Sequence, residues 1–167
     1  MSDVTDIVNA GVTVIHLIAN HAGVSVVQGG YASGFPLGTS GEGLSGGQQK
    51  RVTVHYKQSS DWYDLLSVDY DYTVGMNWMW GASLHGTGQY IDQITVTLDV
   101  TYLPADFTVD VTAHFPTHGN NINSDDAPIA AMPFTIQLQK NGVFGQVVSN
   151  IRTFNCVVQG DGNWQMN

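Results

Sequence analysis

His114-Phe115-Pro116-Thr117-His118 sets two imidazoles on either side of a proline. Such a pair can contact one ion across the bend, but a zinc site needs at least a third protein ligand, and none is placed beside it. Strand alternation puts His114 on a polar face with Thr108, Asp110 and Thr112 and leaves His118 in a turn, as surface histidines. Asn120, Asn121, Asn123, Asp125 and Asp126 carry oxygens of the kind calcium takes. They lack the fixed spacing of an EF-hand loop and read as a solvated turn. Asp69 and Asp71 lie two apart on one strand face, where mutual repulsion is expected to raise one pKa. Glu42 is the only glutamate and sits in a glycine-rich stretch. No Gly-x-Ser-x-Gly elbow occurs, so neither paired carboxylates nor an activated nucleophile is specified. The expectation is a protein that is not an enzyme, with no catalytic residues, no metal and no cofactor.

Leu44-Ser45-Gly46-Gly47-Gln48-Gln49-Lys50-Arg51 matches the signature motif of ABC-transporter ATPases. That motif works by opening a helix whose N-terminus faces phosphates. Here it runs into the alternating Arg51-Val52-Thr53-Val54-His55-Tyr56, and no Gly-x-x-x-x-Gly-Lys-Ser/Thr loop accompanies it. The match is coincidental. Gly41-x-Gly43-x-x-Gly46 fails likewise, with no strand before it and no helix after it.

The strongest concentration of chemistry is aromatic. Trp62, Tyr63, Tyr70, Tyr72, Trp78 and Trp80 crowd into one segment. Met76-Asn77-Trp78-Met79-Trp80 does not alternate with polar residues as a half-buried strand should, and Gly75 precedes it, so a loop is predicted. Exposed Trp and Tyr rings suit a bilayer interface. They suit stacking against sugar rings equally, and a core-filling role is the third reading.

Composition narrows the partners. The 167 residues hold 14 acidic and 5 basic side chains, a formal net charge of -9. Five cations cannot line a nucleic-acid groove, so nucleic-acid binding is excluded, and electrostatic attachment to anionic lipid is disfavoured. Only 11 % of residues are charged, so the surface is built from neutral polar groups and aromatics. Cys156 is the only cysteine, which excludes an internal disulfide, and its place in the last predicted strand favours burial. Asp3 and Asp6 replace the basic start of a signal peptide. The apolar stretch around Val12–Ile18 is too short to span a bilayer as a helix. The expectation is a soluble protein, cytoplasmic in its producer or released by a non-classical route.

These residues need a scaffold, and period-two alternation supplies it. Ile94, Val96, Leu98, Val100 and Tyr102 share one face, with Thr95, Thr97, Asp99 and Thr101 on the other. Phe107, Val109, Val111, Ala113 and Phe115 repeat the pattern after a turn at Leu103-Pro104-Ala105-Asp106. Phe134, Ile136 and Leu138 alternate again, and Asn141-Gly142 signals a hairpin into Val143–Val148. Thr153–Gln159 is the last predicted strand, ended by Gly160-Asp161-Gly162. In the first half, Val12–Ile18 and Val24–Gln28 flank a turn at Asn20-His21-Ala22-Gly23. Val52–Lys57 and Leu65–Tyr72 are further strands. Gly29–Gly47 and Gly119–Ala127 are predicted loops, and only the first ten residues could form a helix. Short strands separated by turn residues indicate an all-β, single-domain antiparallel β-sandwich over 1–167, with 1–11 as a short N-terminal segment.

Leu66-Ser67-Val68-Asp69-Tyr70-Asp71-Tyr72, followed by Asn77-Trp78, resembles the actinoporin-type cytolysins, whose signature runs Phe-Ser-Val-Pro-Tyr-Asp-Tyr-Asn and then Ser-Asn-Trp-Trp. Ile18-Ala19-Asn20-His21-Ala22-Gly23 is similar to that family's first strand and its Asn-x-x-Gly turn. Together these cover about a quarter of the chain. Fungal fruit-body lectins and aegerolysins have related sandwiches, so the fold does not choose between lipid and sugar. The resemblance implies a headgroup site at Ser67, Tyr70, Tyr72 and Tyr90, and a membrane-interface role for Trp78 and Trp80. Asp69 replaces the family proline, and Gly75 stands where a headgroup-binding tyrosine is expected. Asp3–Val8 is too short for the family's pore-forming helix, so headgroup binding is expected to survive where pore formation does not. The expected function is a membrane lipid-headgroup-binding β-sandwich of the cytolysin or defence-toxin kind, with a carbohydrate-binding lectin as the alternative. The expected partners are a membrane lipid or glycan and further copies of the chain on a membrane.

Overall fold

A computed structural model describes residues 6–39, 41–59, 69–142 and 151–167. It is an all-β sandwich of two antiparallel sheets, with no helix among the described residues. In chain order the strands are β1 (Ile7–Val8), β2 (Val14–Asn20), β3 (Gly23–Gln28), β4 (Ala32–Pro36), β5 (Leu44–Ser45), β6 (Gln48–Gln58), β7 (Tyr70–Leu84), β8 (Thr87–Tyr102), β9 (Thr108–His114), β10 (Asn120–Asn121), β11 (Ala130–Asn141), β12 (Arg152–Gln159) and β13 (Trp164–Met166). The first sheet runs β1-β4-β8-β7, and both β5 and β6 pair with β7. The second runs β13-β12-β11-β9-β2-β3, with β10 beside β11.

Alternation drives this arrangement. Ile94, Val96 and Leu98 of β8 join Val109, Val111, Ile136 and Leu138 in one core, while the intervening Thr95 and Thr97 are half-buried on the opposite face of the strand. Apolar burial at about 25 cal/mol per Å² is what holds the two sheets together. Cys156 is part of that core and is 1 % exposed, and burial pushes its thiol up to about 11.

The largest departure from the predicted elements is β7, a strand covered on both faces, where alternation is lost. Met76–Trp80 is not a loop but the middle of β7, paired with β6 on one side and β8 on the other. Met76 and Trp78 point into the core, while Asn77 on the opposite face is also buried. Gly75 is flat for a reason: a Cβ there would run into the Thr97 hydroxyl and the Arg51 guanidinium, which reaches over it to Asp99. The predicted Gly29–Gly47 loop contains β4 and β5. Ala32 to Phe35 are all buried, because the N-terminal segment lies over them: Ser33 accepts a hydrogen bond from the Ala10 amide and donates its own amide to Asn9. Ile7–Val8, within the first ten residues, the one stretch that could form a helix, forms β1 against Phe35 and Pro36. The polar stretch Gly119–Ala127 includes the short β10, and β13 follows Gly160–Gly162 without a sequence signal. The predicted Val143–Val148 strand and residues 65–68 of the predicted Leu65–Tyr72 strand lie outside the described residues.

The connections β2–β3, β6–β7, β8–β9 and β11–β12 all fall at one end of the sandwich, as the strand registers require.

Candidate functional site

That end carries an aromatic cluster spanning both sheets. Tyr56 on β6 lies directly opposite Tyr72 on β7, and their rings stack at 5.2 Å. Tyr70, two residues earlier on the same face, packs against Tyr72 at 5.6 Å and stacks on Phe107 at 5.8 Å. Cross-strand and same-face spacing account for both tyrosine contacts. Phe107 immediately precedes β9 of the other sheet.

Two cations join them. Lys140 on β11 is the register partner of Val109, and Arg152 on β12 is the partner of Leu138; both partners are core residues. Lys140 and Arg152 therefore emerge from the core-facing side of their sheet at its open end. The Lys140 ammonium lies 4.4 Å from the centre of the Tyr70 ring and donates to its hydroxyl at 3.0 Å. Arg152 lies near enough to Tyr56 for its charge and hydrogen-bonding capacity to act on the Tyr56 hydroxyl. Burial raises the Tyr56 pKa against the opposing pull of Arg152. Burial also pushes Tyr72 well above the ordinary phenol value, reinforced by Tyr70 and Tyr56. The Tyr72 hydroxyl is fully buried and has no hydrogen-bond partner among the described residues.

Among the described residues, no ion pair joins Lys140 or Arg152 to a carboxylate. Arg51 and Lys57, by contrast, pair with Asp99 and Asp71 on the outer face of the first sheet. An arrangement of ring faces beside two cations that no described carboxylate pairs with can hold an anionic group, with a quaternary ammonium or an apolar group against the rings. The exposed Tyr102 and Ile151 stand at the same end. An open cleft of about 510 Å³ there runs between the β2–β3 turn, with His21, and residues 100–105.

The sequence-predicted site residues separate. Tyr70 and Tyr72 meet in the cluster; Ser67 lies outside the described residues, in the β6–β7 connection. Tyr90 is buried near the opposite end, packed over Gly88. Ten residues of β8 separate it from the register partner of Tyr72, roughly 30 Å of strand. Trp78 has no exposed surface, and half-buried Trp80 packs against Gly162, so strand β7 replaces the expected exposed tryptophan loop. Of the pair Asp69 and Asp71, in which one raised pKa is expected, Asp71 is not the raised member. Its carboxyl is held below the ordinary 3.8, first by the His55 hydrogen bond at 2.7 Å and then by the charges of His55 and Lys57.

The other motifs are placed plainly. Leu44–Arg51 forms β5, a Gly46-Gly47 turn with φ of 75° and 119°, and the start of β6, with no helix to face a phosphate. His114 is exposed on the outer face of β9, and the His118 ring meets the Thr117 hydroxyl. No group of three metal-ligating side chains occurs among the described residues. In the Asn120–Asp126 turn, Asn121 Oδ1 accepts from the Asn123 and Ile129 amides, which uses that oxygen to hold the turn. No helix among the described residues is long and apolar enough to cross a membrane.

Tyr56, Phe107, Lys140 and Arg152 were not anticipated as site residues. A signal for Lys140 existed: it continues the inward row Phe134, Ile136, Leu138, where a cation is out of place unless it caps an open end. No protein-family model, curated protein or solved structure matches the chain.

Proposed function

We propose that this protein binds a phosphate-bearing lipid headgroup at the tyrosine end of the sandwich and thereby docks on zwitterionic membranes. The supporting observation is the placement of Lys140 and Arg152. Two of only five basic residues in a chain of net charge -9 stand beside three tyrosines, without a carboxylate partner among the described residues. A phosphate would take the two cations and a choline-type ammonium the ring faces. Tyr102 and Ile151 would enter the interface. A neutral glycan could stack on the same rings but has no use for the cations, which favours lipid over sugar.

The reading covers binding. Ile7–Val8 is held in a sheet, and no described helix offers a membrane-crossing segment. The test is flotation with phosphatidylcholine/sphingomyelin vesicles, with dye release recorded in parallel. The wild-type chain should float with the vesicles without releasing dye. Lys140→Gln and Arg152→Gln should each weaken binding by about tenfold or more, because a charge-assisted hydrogen bond contributes roughly 1.5–3 kcal/mol. Unchanged binding by both variants would remove the site. Capture by a glycan array without vesicle binding would transfer it to the lectin reading.

A further inference from the structure

We infer that β3 is a self-pairing edge, through which two copies of this chain join antiparallel about a two-fold axis at Ser25. The inference is independent of the lipid reading.

Among the described residues Gly23–Gln28 is an outermost strand, hydrogen-bonded to β2 alone, and all six of its residues are exposed. Its register gives two of its valines an unusual position. Val24 pairs with Ala19 and Val26 with Leu17, both core residues. Val24 and Val26 therefore continue the core-facing side of the sheet, yet they are 40 % and 64 % exposed. β8 of the opposite sheet comes near β3 but leaves both valines exposed.

Edge strands are normally guarded by lysines, inward charges, prolines or bulges. The other long free edge among the described residues shows that guard: β6 carries Lys50, Arg51 and Lys57. β3 carries no charge and no proline. Its single irregularity, a register shift opposite His16/Leu17, lies at the Val27 end and leaves Gly23–Val26 regular.

Charge selects the occupant. From Ile7 to Gly41 the sequence contains no Asp, Glu, Lys or Arg, although the whole chain carries -9. Two such chains repel one another over most of their surface, and this segment is where they can touch without opposing like charges. The strand is also self-complementary. A two-fold at Ser25 sets Ser25 against its own copy on the polar face and Val24 against Val26 of the second chain on the core face. The apolar row then runs unbroken from Leu17 and Ala19 of one chain to those of the other. The contact uses the same surface on both chains, so it closes at a dimer.

The test uses the full chain in solution, without lipid. Light scattering after size exclusion should give twice the 18.0 kDa chain mass. Val26→Lys should give the chain mass with unchanged circular dichroism, and Val26→Thr should remain dimeric. Ser25→Cys should form a covalent dimer under mild oxidation, because directly opposed Cα atoms lie about 4.5–5.5 Å apart, within disulfide range. Val24→Cys alone should not, since its own copy is a diagonal neighbour about 7–8 Å away. Native Cys156 is buried and gives no background. A monomeric wild type, a Val26→Lys dimer, or crosslinking by Val24→Cys rather than Ser25→Cys would each overturn the inference. If Val26→Lys fails to fold, the two cysteine variants decide.

Discussion

Tyr70 and Tyr72 stand two residues apart on one face of one strand, yet removal of their hydroxyls should move stability in opposite directions. The Tyr72 hydroxyl is buried with no partner among the described residues, so Tyr72→Phe relieves a desolvation penalty of about 1–3 kcal/mol. The ring, stacked at 5.2 Å on Tyr56 and packed at 5.6 Å on Tyr70, stays in place. The void left by one oxygen returns a few tenths of a kcal/mol, at about 24 cal/mol per Å³. A net gain of about 1–2 kcal/mol follows, which for a chain of this length raises Tm by roughly 2–8 °C. Tyr70→Phe removes the acceptor of the Lys140 hydrogen bond and should cost about 0.5–1.5 kcal/mol. Urea unfolding checks both, read as a shift of the midpoint at constant slope. A destabilised Tyr72→Phe would refute the reasoning. It would mean that the hydroxyl has a partner and that the tyrosine end is packed differently.

Two further predictions concern titration. Asp71 contributes stability above its unfolded value of 3.8 and loses it as pH falls through the lowered folded value. His55→Asn should raise the Asp71 pKa in a carboxyl-detected NMR titration, and an unmoved pKa would show that His55 is not the cause. The Cys156 thiol, ordinarily near 9.0 and pushed up to about 11 by burial, contributes stability that is lost as pH rises through that window. Its reaction with a thiol reagent at neutral pH should therefore follow global unfolding, and rapid labelling of the folded chain would contradict the buried placement.

Strands with one wet face were legible in the sequence. Phe107–Phe115 and Phe134–Leu138 show their inward rows directly, because threonine and glutamine mark the outer side. β7 was not legible past Tyr72. It lies between β6 and β8, with Trp78 in the core and Asn77 covered on the other face, so polarity no longer reports direction. β4 was hidden similarly by Asn9 and Ala10 lying across it. The site was half legible. Tyr70 and Tyr72 stood out locally, whereas Lys140 and Arg152 reach them only through the pairing of β11 and β12 in the opposite sheet, which no local pattern encodes. Tyr90 illustrates the converse: the family resemblance grouped it with Tyr70 and Tyr72, and the length of β8 sets it near the opposite end.

The central claim is that recognition belongs to the tyrosine end and not to the tryptophan-bearing middle of β7. Titration of the full chain with soluble phosphocholine, followed by NMR, tests it most directly. Shifts concentrated on Tyr56, Tyr70, Lys140 and Arg152, with Trp78 and Trp80 unmoved, are the predicted result. Shifts centred on Trp80, or none at saturating ligand, would contradict it.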